Sequence, residues 1–199
     1  RPLAKPVLWA AGMDTRRAMT TFAEVPFRTW WKRGGATQGV PGLHVGQRPG
    51  HPVRDERPKV VLWTDSFSDN MSPGVPQAAV TVLTAAGYDV VVPDEQACCG
   101  LTWISTGQLD GARKRLENLL SVLGPYAVNG IPIMGLEPSC TAVLRSDLVD
   151  LFPDDPRAQA VSRATRTLAE LLTSVDTAPG TESGWRVPDL SDVTAVVQP

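Results

Sequence analysis

The sequence of 199 residues has few cysteines, few histidines and no long apolar segment. Its three cysteines cannot all pair within one chain, so a reducing cytoplasm with free or metal-bound thiols is the better setting. No apolar run reaches the length of a membrane-spanning helix, and the first residues lack the pattern of a signal peptide. The two histidines, His44 and His51, do not have the spacing of metal ligands. We therefore expect a cytoplasmic globular protein, and a chain that starts at Arg1 rather than Met is expected to be a piece of a longer one.

The net charge is small, −2, but the two signs are unevenly distributed. Residues 1–57 hold ten Lys and Arg against four Asp and Glu, whereas residues 58–199 hold nine against seventeen. A basic segment beside an acidic body favours docking of the segment onto a partner or another part of the protein. Nucleic acid is disfavoured as a partner, because the basic residues are dispersed and the acidic body would repel phosphate.

Composition divides the chain into three parts. Residues 1–33 predict a partly helical arm with clustered aromatic and basic side chains, and residues 34–57, rich in Gly, Pro and Arg, predict a linker. The arm either packs onto its own protein, which we favour because Pro26 interrupts the pattern, or lies on the inner face of a membrane. Residues 58–199 then form the body.

The body predicts alternating strands and helices. Apolar runs over 59–63, 88–92 and 131–134 are typical of buried strands, and 194–197 predicts a last strand. Helical spacing predicts core-facing stripes on three helices: Val75, Ala79, Val82, Leu83 and Ala86 on the first, Leu109, Ala112, Leu116, Leu119 and Leu120 on the second (about 106–123), and Val161, Ala164, Leu168, Leu171 and Leu172 on one that starts at Asp155. This order predicts an α/β fold with a Rossmann-like parallel sheet and helices on both faces.

All three cysteines follow predicted strands. Cys98 and Cys99 come after the second strand, and Cys140 comes after the third, in the first turn of a short helix. If these strands are parallel neighbours, the thiols meet at the carboxyl edge of the sheet, where open α/β sheets place their ligands. Adjacent residues project in different directions, so only one of Cys98 and Cys99 is expected to share a site with Cys140, unless Gly100 makes the loop irregular.

The residues alone leave several functions open for these thiols. As thiolates they would bind a soft metal or an iron–sulfur cluster, and as thiols they would be small buried apolar residues. A disulfide between Cys98 and Cys99 would be strained. Glu137 is either a ligand or proton acceptor beside Cys140 or the cap of the following helix, and we favour the cap.

Three short segments together resemble a known family. Cys98-Cys99-Gly100 matches the Cys-Cys-Gly element of the cysteine-rich CCG repeat, which occurs in the B subunit of heterodisulfide reductase and in the iron–sulfur parts of glycolate and lactate oxidases. Glu137-Pro138-Ser139-Cys140 stands where that repeat has Cys-x-x-Cys, so that Cys140 matches its second cysteine and Glu137 replaces its first. Ser66 stands where the repeat has its leading cysteine.

The departures from the full motif resemble one subfamily, the FAD-linked oxidases fused to an iron–sulfur region that act on D-2-hydroxy acids such as D-lactate, glycolate or D-2-hydroxyglutarate. The resemblance covers about 10–199, and the segments that carry it are 12–17, 27–31, 65–70, 98–101 and 135–140. It implies a first CCG repeat with its leading arm, which passes electrons from flavin to an acceptor. The flavin domain and a second repeat are then partners within the full-length protein, and a homodimer and peripheral membrane contact stay open.

The same resemblance implies a ligand set. Cys98, Cys99 and Cys140 would hold a [4Fe–4S] cluster, with a fourth ligand from Glu137, Ser66 or the missing repeat, or they would hold zinc. The chain has no flavin-binding segment, so FAD belongs to the rest of the protein. Because Ser66 and Glu137 replace cysteines, the alternative is a degenerate repeat that serves as an interdomain or dimerisation scaffold without metal. Thiol–disulfide chemistry at Cys98 and Cys99 is a third option.

Overall fold

The computed structural model describes residues 21–35 and 57–174, with positions 6, 9, 10, 12, 14, 16, 189 and 191–194. The elements follow in the order α1 (Phe27–Lys32), β1 (Lys59–Trp63), α2 (Ser66–Asn70), α3 (Gly74–Ala85), β2 (Asp89–Val91), α4 (Leu101–Ser105), α5 (Leu109–Val128), β3 (Ile133–Gly135), α6 (Pro138–Arg145), α7 (Asp147–Leu151), α8 (Pro156–Ala164), β4 (Thr165–Arg166) and α9 (Leu168–Thr173). None of the described helices is long and apolar enough to cross a membrane.

The described strands form a parallel sheet in the order β2-β1-β3-β4. Strand β1 pairs with β2 on one side and with β3 on the other, so that Val61 lies opposite Val91 and opposite Ile133. The chain therefore passes from β1 to one side and then returns to the other side of β1. This reversal places a switch point between β1 and β3, and the predicted α/β fold with a parallel sheet is confirmed.

Strand β1 separates two cores because its residues alternate between the faces of the sheet. Val61 and Trp63 pack with residues of α5, α6 and α8, whereas Val60 and Leu62 pack with residues of α1, α3 and α9. All four side chains are almost wholly buried. A strand covered on both faces needs apolar residues at consecutive positions, which explains the uninterrupted run in the sequence.

The predicted helix from Asp155 to Leu172 is two helices separated by a strand. Helix α8 ends where the Thr165 hydroxyl donates to the carbonyl of Val161 at 2.7 Å, and Thr165 then pairs with Ile133 in β4. Helix α9 begins with a capping box between Thr167 and Glu170. The prediction was wrong here because a strand of two residues leaves no periodic pattern, while the apolar stripe continues through it.

Smaller differences concern exposure and the chain end. Val75 and Leu109 were expected in the core but are about half exposed, at 51% and 48%, because both stand in the first turn of their helices. Strand β2 is an edge strand with an exposed Asp89, not a buried strand. The strand predicted over 194–197 lies outside the described residues apart from Thr194, which is not in a strand.

Helix α1, the described helix of the arm, packs onto the body. Phe27 is fully buried among the residues of the second core. The backbone N–H of Arg28 donates to Asp69 Oδ1 at 2.9 Å, and its guanidinium donates to the carbonyls of Pro93 (2.7 Å) and Asp94. Arg28 thus connects the arm to the end of α2 and to the loop that follows β2. The predicted linker lies mostly outside the described residues.

We predict that Phe27→Ala destabilises the protein by about 3–5 kcal/mol, because it leaves a cavity in the second core. Phe22→Ala is the matched control, since that side chain belongs to the same arm but is 70% exposed and should change stability by less than about 0.5 kcal/mol. Urea unfolding of the two variants measures the difference. Equal stabilities would contradict the packing of the arm.

The stability should also depend on pH through Glu170. The Thr167 backbone N–H and the Arg145 guanidinium, in that order, lower the pKa of Glu170 from 4.5 to about 2. Because the folded pKa lies below the unfolded one, this stabilisation is complete above about pH 4.5 and is lost as the pH falls towards 2. We expect Glu170→Gln to lower the urea midpoint at pH 7 and to have a smaller effect at pH 3. Glu117→Gln, on the exposed face of α5, should show no such trend.

Candidate functional site

The candidate site lies at the carboxyl edge of the sheet, beside the switch point. Strands β1, β2 and β3 are parallel, so the segments that follow them leave the sheet at the same edge. The segment after β2 carries Cys98 and Cys99, and the segment after β3 carries Glu137 and Cys140. The parallel pairing therefore brings together cysteines that are about forty residues apart in the sequence.

Four side chains lie in a continuous row, which we call the thiol chain. The Cys99 thiol donates to Cys140 with 2.9 Å between the sulfur atoms, and the pKa values of Cys98 and Glu137 respond to their neighbours Cys99 and Cys140 in the row. All three cysteines are free. Cys99 and Cys140 are buried, whereas Cys98 is half-buried. As expected for adjacent residues, it is Cys99 rather than Cys98 that contacts Cys140.

Glu137 holds Cys140 in place by capping α6. The carboxylate of Glu137 accepts from the Cys140 backbone N–H at 2.6 Å and from the Ser139 hydroxyl at 3.1 Å, and Pro138 occupies the first turn. Burial raises the pKa of Glu137, but the hydrogen bonds together lower it by more than burial raises it. The net shift of the pKa is therefore downwards. The cap that we favoured from the sequence is thus present, and the same carboxylate also contacts the thiol.

The loop that carries Cys98 and Cys99 is fixed on both sides. Before the cysteines, Trp63 Nε1 donates to the carbonyl of Ala97 at 3.0 Å. After them, Gly100 has φ +73°, and a Cβ atom there would approach Arg115 Cβ to 3.4 Å. The sharp turn into α4 therefore depends on glycine, because other residues rarely adopt this left-handed conformation.

The thiol chain makes its first two thiols poor acids. The hydrogen bond from Cys99 to Cys140, together with burial, raises the pKa of Cys99 to about 12. The pKa of Cys98 is also raised, by its hydrogen bond to Cys99 and by burial. Both groups are consequently thiols near neutral pH, and a metal that binds them must displace their protons.

A cation stands beside the exposed end of the thiol chain. The Arg115 guanidinium lies 4.8 Å from the centroid of the Trp103 ring, and its charge partly offsets the rise in the pKa of Cys98. Trp103 in turn packs on Gly111, where a Cβ atom would approach the indole to 2.4 Å. Sequence reasoning missed Arg115, because a run of basic residues on a helix is usually a solvated face. The spacing of Gly111 and Arg115 by one helical turn was the available signal.

Other polar residues at this edge have structural roles. Asp65 caps α2 by accepting from the backbone N–H groups of Phe67 (2.8 Å) and Ser68 (3.0 Å). Asp69 accepts from the arm, and Ser66 is exposed rather than part of the thiol chain. His44 and His51 lie outside the described residues.

The donor atoms suit iron or zinc in kind but not in number. Thiolate sulfur is the ligand that iron–sulfur clusters and structural zinc prefer. Among the described residues, however, no group of three or more His, Cys, Asp or Glu side chains is arranged so that it could hold a metal ion. Of the two candidate fourth ligands in this part of the chain, Glu137 caps α6 and Ser66 is exposed.

Residues 65–145 match a family model, that of the cysteine-rich domain CCG. The matched segment begins at the cap of α2 and ends with α6, so it includes the whole thiol chain. This match confirms the family resemblance on which the sequence analysis relied.

Several curated proteins are similar to the chain over part of their length. Lactate utilization protein A of an Exiguobacterium species is 31% identical over 133 residues, which cover 66% of this chain and 53% of that protein. The C subunit of the anaerobic glycerol-3-phosphate dehydrogenase of Escherichia coli K12 is 25% identical over 173 residues, covering 85% and 40%. An iron–sulfur protein of Methanococcus maripaludis is 28% identical over 95 residues, covering 48% and 19%. The chain thus spans about half or less of these relatives, and no solved structure matches it significantly.

We predict that Arg115 makes the surface around Cys98 selective for anions. Alkylation of Cys98 by anionic iodoacetate, relative to neutral iodoacetamide at the same pH, should fall roughly two- to fivefold in Arg115→Gln, as for a surface charge pair of about 0.5–1 kcal/mol. Arg115→Lys should retain most of the selectivity. Arg113→Gln is the control, because that guanidinium stacks on Phe152 and donates to the Leu151 carbonyl instead. Peptide mapping measures both rates, and an unchanged ratio in Arg115→Gln would contradict the assignment.

Proposed function

Because residues 65–145 belong to the cysteine-rich CCG family, we propose that this chain is an iron–sulfur electron-transfer region of a longer oxidoreductase. The observation that carries the proposal is the convergence of three thiols at the carboxyl edge of a parallel sheet, next to its switch point. Open α/β sheets bind their ligands at this position. The names of the similar proteins support it, since they include subunits or proteins of lactate utilization, of an anaerobic dehydrogenase and of the iron–sulfur class.

We propose Cys98, Cys99 and Cys140 as the ligands that this chain supplies. A [4Fe–4S] cluster at this edge would accept and pass on single electrons. It needs about four protein ligands, so at least one must come from Glu137, from Ser66 or from residues outside the described part of the chain. Glu137 would have to give up its bond to the Cys140 N–H to serve as a ligand, which favours a ligand from elsewhere.

The protein's own residues prepare the site for such a group. Cys99 and Cys140 are only 4% and 6% exposed, so the inner part of the site is shielded from water. Trp63 and Gly100 fix the loop on either side of the cysteines. Because the pKa values of Cys98 and Cys99 are raised, loading requires that protons leave these thiols, and it should be more favourable at higher pH.

The wider assignment extends the proposal to the whole protein. We propose that the longer protein oxidises a D-2-hydroxy acid at FAD and that this region passes the electrons towards an acceptor. The resemblance of 12–17, 27–31 and 65–70 to FAD-linked oxidases supports this, as does the similarity to lactate utilization protein A. The flavin domain and a second CCG repeat are the proposed partners.

A second candidate is a scaffold without metal, which docks other domains or forms a dimer. One observation favours it: the carboxylate of Glu137 is committed to capping α6. In that case the cysteines act as small buried side chains, and the CCG fold serves for assembly alone.

Anaerobic reconstitution with iron and sulfide, followed by iron, sulfide and zinc analysis, separates the two candidates. For the electron-transfer function we expect about four iron and four sulfide per chain. Cys99→Ser and Cys140→Ser should lose more than half of the iron, and Thr106→Ser, away from the thiol chain, is the control. A wild-type chain that stays free of iron, sulfide and zinc, both alone and within the longer protein, would overturn the proposal and leave the scaffold.

A further inference from the structure

We propose that Cys99 and Cys140 form a reversible disulfide when no metal is bound, so that this edge of the sheet also works as a dithiol switch. The inference rests on the arrangement of the thiols and not on the proposed electron-transfer function. It differs from the option raised by the sequence, which paired Cys98 with Cys99.

The distance between the sulfur atoms selects the pair. Cys99 and Cys140 are free thiols whose Sγ atoms lie 2.9 Å apart. A disulfide bond is about 2.05 Å long, so the two atoms must approach by only about 0.9 Å. A bond between Cys98 and Cys99 would join neighbours in the sequence and would be strained. The geometry thus points to a bond that links the loop after β2 to the first turn of α6.

Cys98 provides the route by which an oxidant reaches this buried pair. Cys98 is half-buried, whereas Cys99 and Cys140 are buried, and its thiol is next to that of Cys99 in the thiol chain. A small disulfide RSSR would first meet Cys98, whose thiolate forms a mixed disulfide and releases one RSH. Arg115 places a positive charge nearby, which favours a reagent that carries carboxylates.

The sulfur atoms then exchange in order along the thiol chain. Cys99 attacks the sulfur of Cys98 and releases the second RSH, and Cys140 attacks the sulfur of Cys99 and returns Cys98 to the thiol. The proton of Cys140 then leaves to solvent, with the neighbouring Glu137 carboxylate as its nearest acceptor. In sum, RSSR and two thiols give one disulfide and two RSH, so that two electrons pass from the protein to the reagent.

The expected consequence is that oxidation withdraws two of the three thiols from metal binding. The bond also joins segments 41 residues apart, so it restricts the unfolded chain and should raise the melting temperature. Exchange requires thiolate, so the reaction should be faster in mild alkali than near neutral pH.

The test equilibrates the metal-free 199-residue chain with oxidised glutathione at pH 8.5. We expect a mass lower by two hydrogens, one remaining thiol at Cys98, and a peptide map that links Cys99 to Cys140, all reversed by dithiothreitol. Cys99→Ser and Cys140→Ser should not form the bond. Cys98→Ser should form the same bond roughly tenfold more slowly, because the half-buried thiol that the reagent meets first is missing.

Three results would overturn the proposal: three free thiols at equilibrium, a link between Cys98 and Cys99, or a stable mixed disulfide with glutathione. The wild-type peptide map decides the matter even where a serine variant fails to fold. Iron and sulfide analysis of the reduced chain tests the proposed function separately. A chain that binds iron and never forms the bond contradicts only the switch, and one that forms the bond and binds no iron contradicts only the electron-transfer function.

Discussion

The pairing of β1 with two parallel neighbours is the constraint on which the rest of this structure depends. Val61 is hydrogen-bonded between the strands of Val91 and Ile133, so the loops after β2 and β3 must leave the sheet together. A shift of one residue in either register would turn every side chain of that strand to the other face. Apolar packing on both faces of β1 prevents such a shift, and Cys99 and Cys140 therefore meet because of the core rather than through any attraction between thiols.

Glu137 shows why the departures from the family's cysteine pattern have structural consequences. A cysteine at this position could serve a metal but would be a poor cap, whereas the carboxylate accepts both from the Cys140 backbone and from its thiol. Glu137 thus anchors α6 where the family that the chain resembles has a cysteine. The anchored Cys140 thiol remains in contact with Cys99.

The sequence was a good guide to the features that depend on periodicity and a poor one to those that depend on single contacts. The parallel sheet, its flanking helices and the meeting of Cys99 with Cys140 follow from apolar runs and their order. The cap at Glu137 follows from its place before a helix, where a carboxylate is favourable. Strand β4 at Thr165 could not be predicted, because two residues show no alternation. The position of Arg115 over an indole could not be predicted either, since a basic run on a helix is usually solvated.

On our two proposals, cluster binding and disulfide formation would compete for the same sulfur atoms, and the protonation of the thiol chain would decide which occurs quickly. Both reactions need thiolates, and the hydrogen bond between Cys99 and Cys140 opposes the loss of a proton from Cys99. A metal removes that proton by binding the sulfur, whereas an oxidant must wait until the proton has left. If both proposals hold, the buried pair would bind an available metal before it is oxidised. A disulfide would then be the state of a chain without its metal, and the hydrogen bond between the two thiols would also protect them.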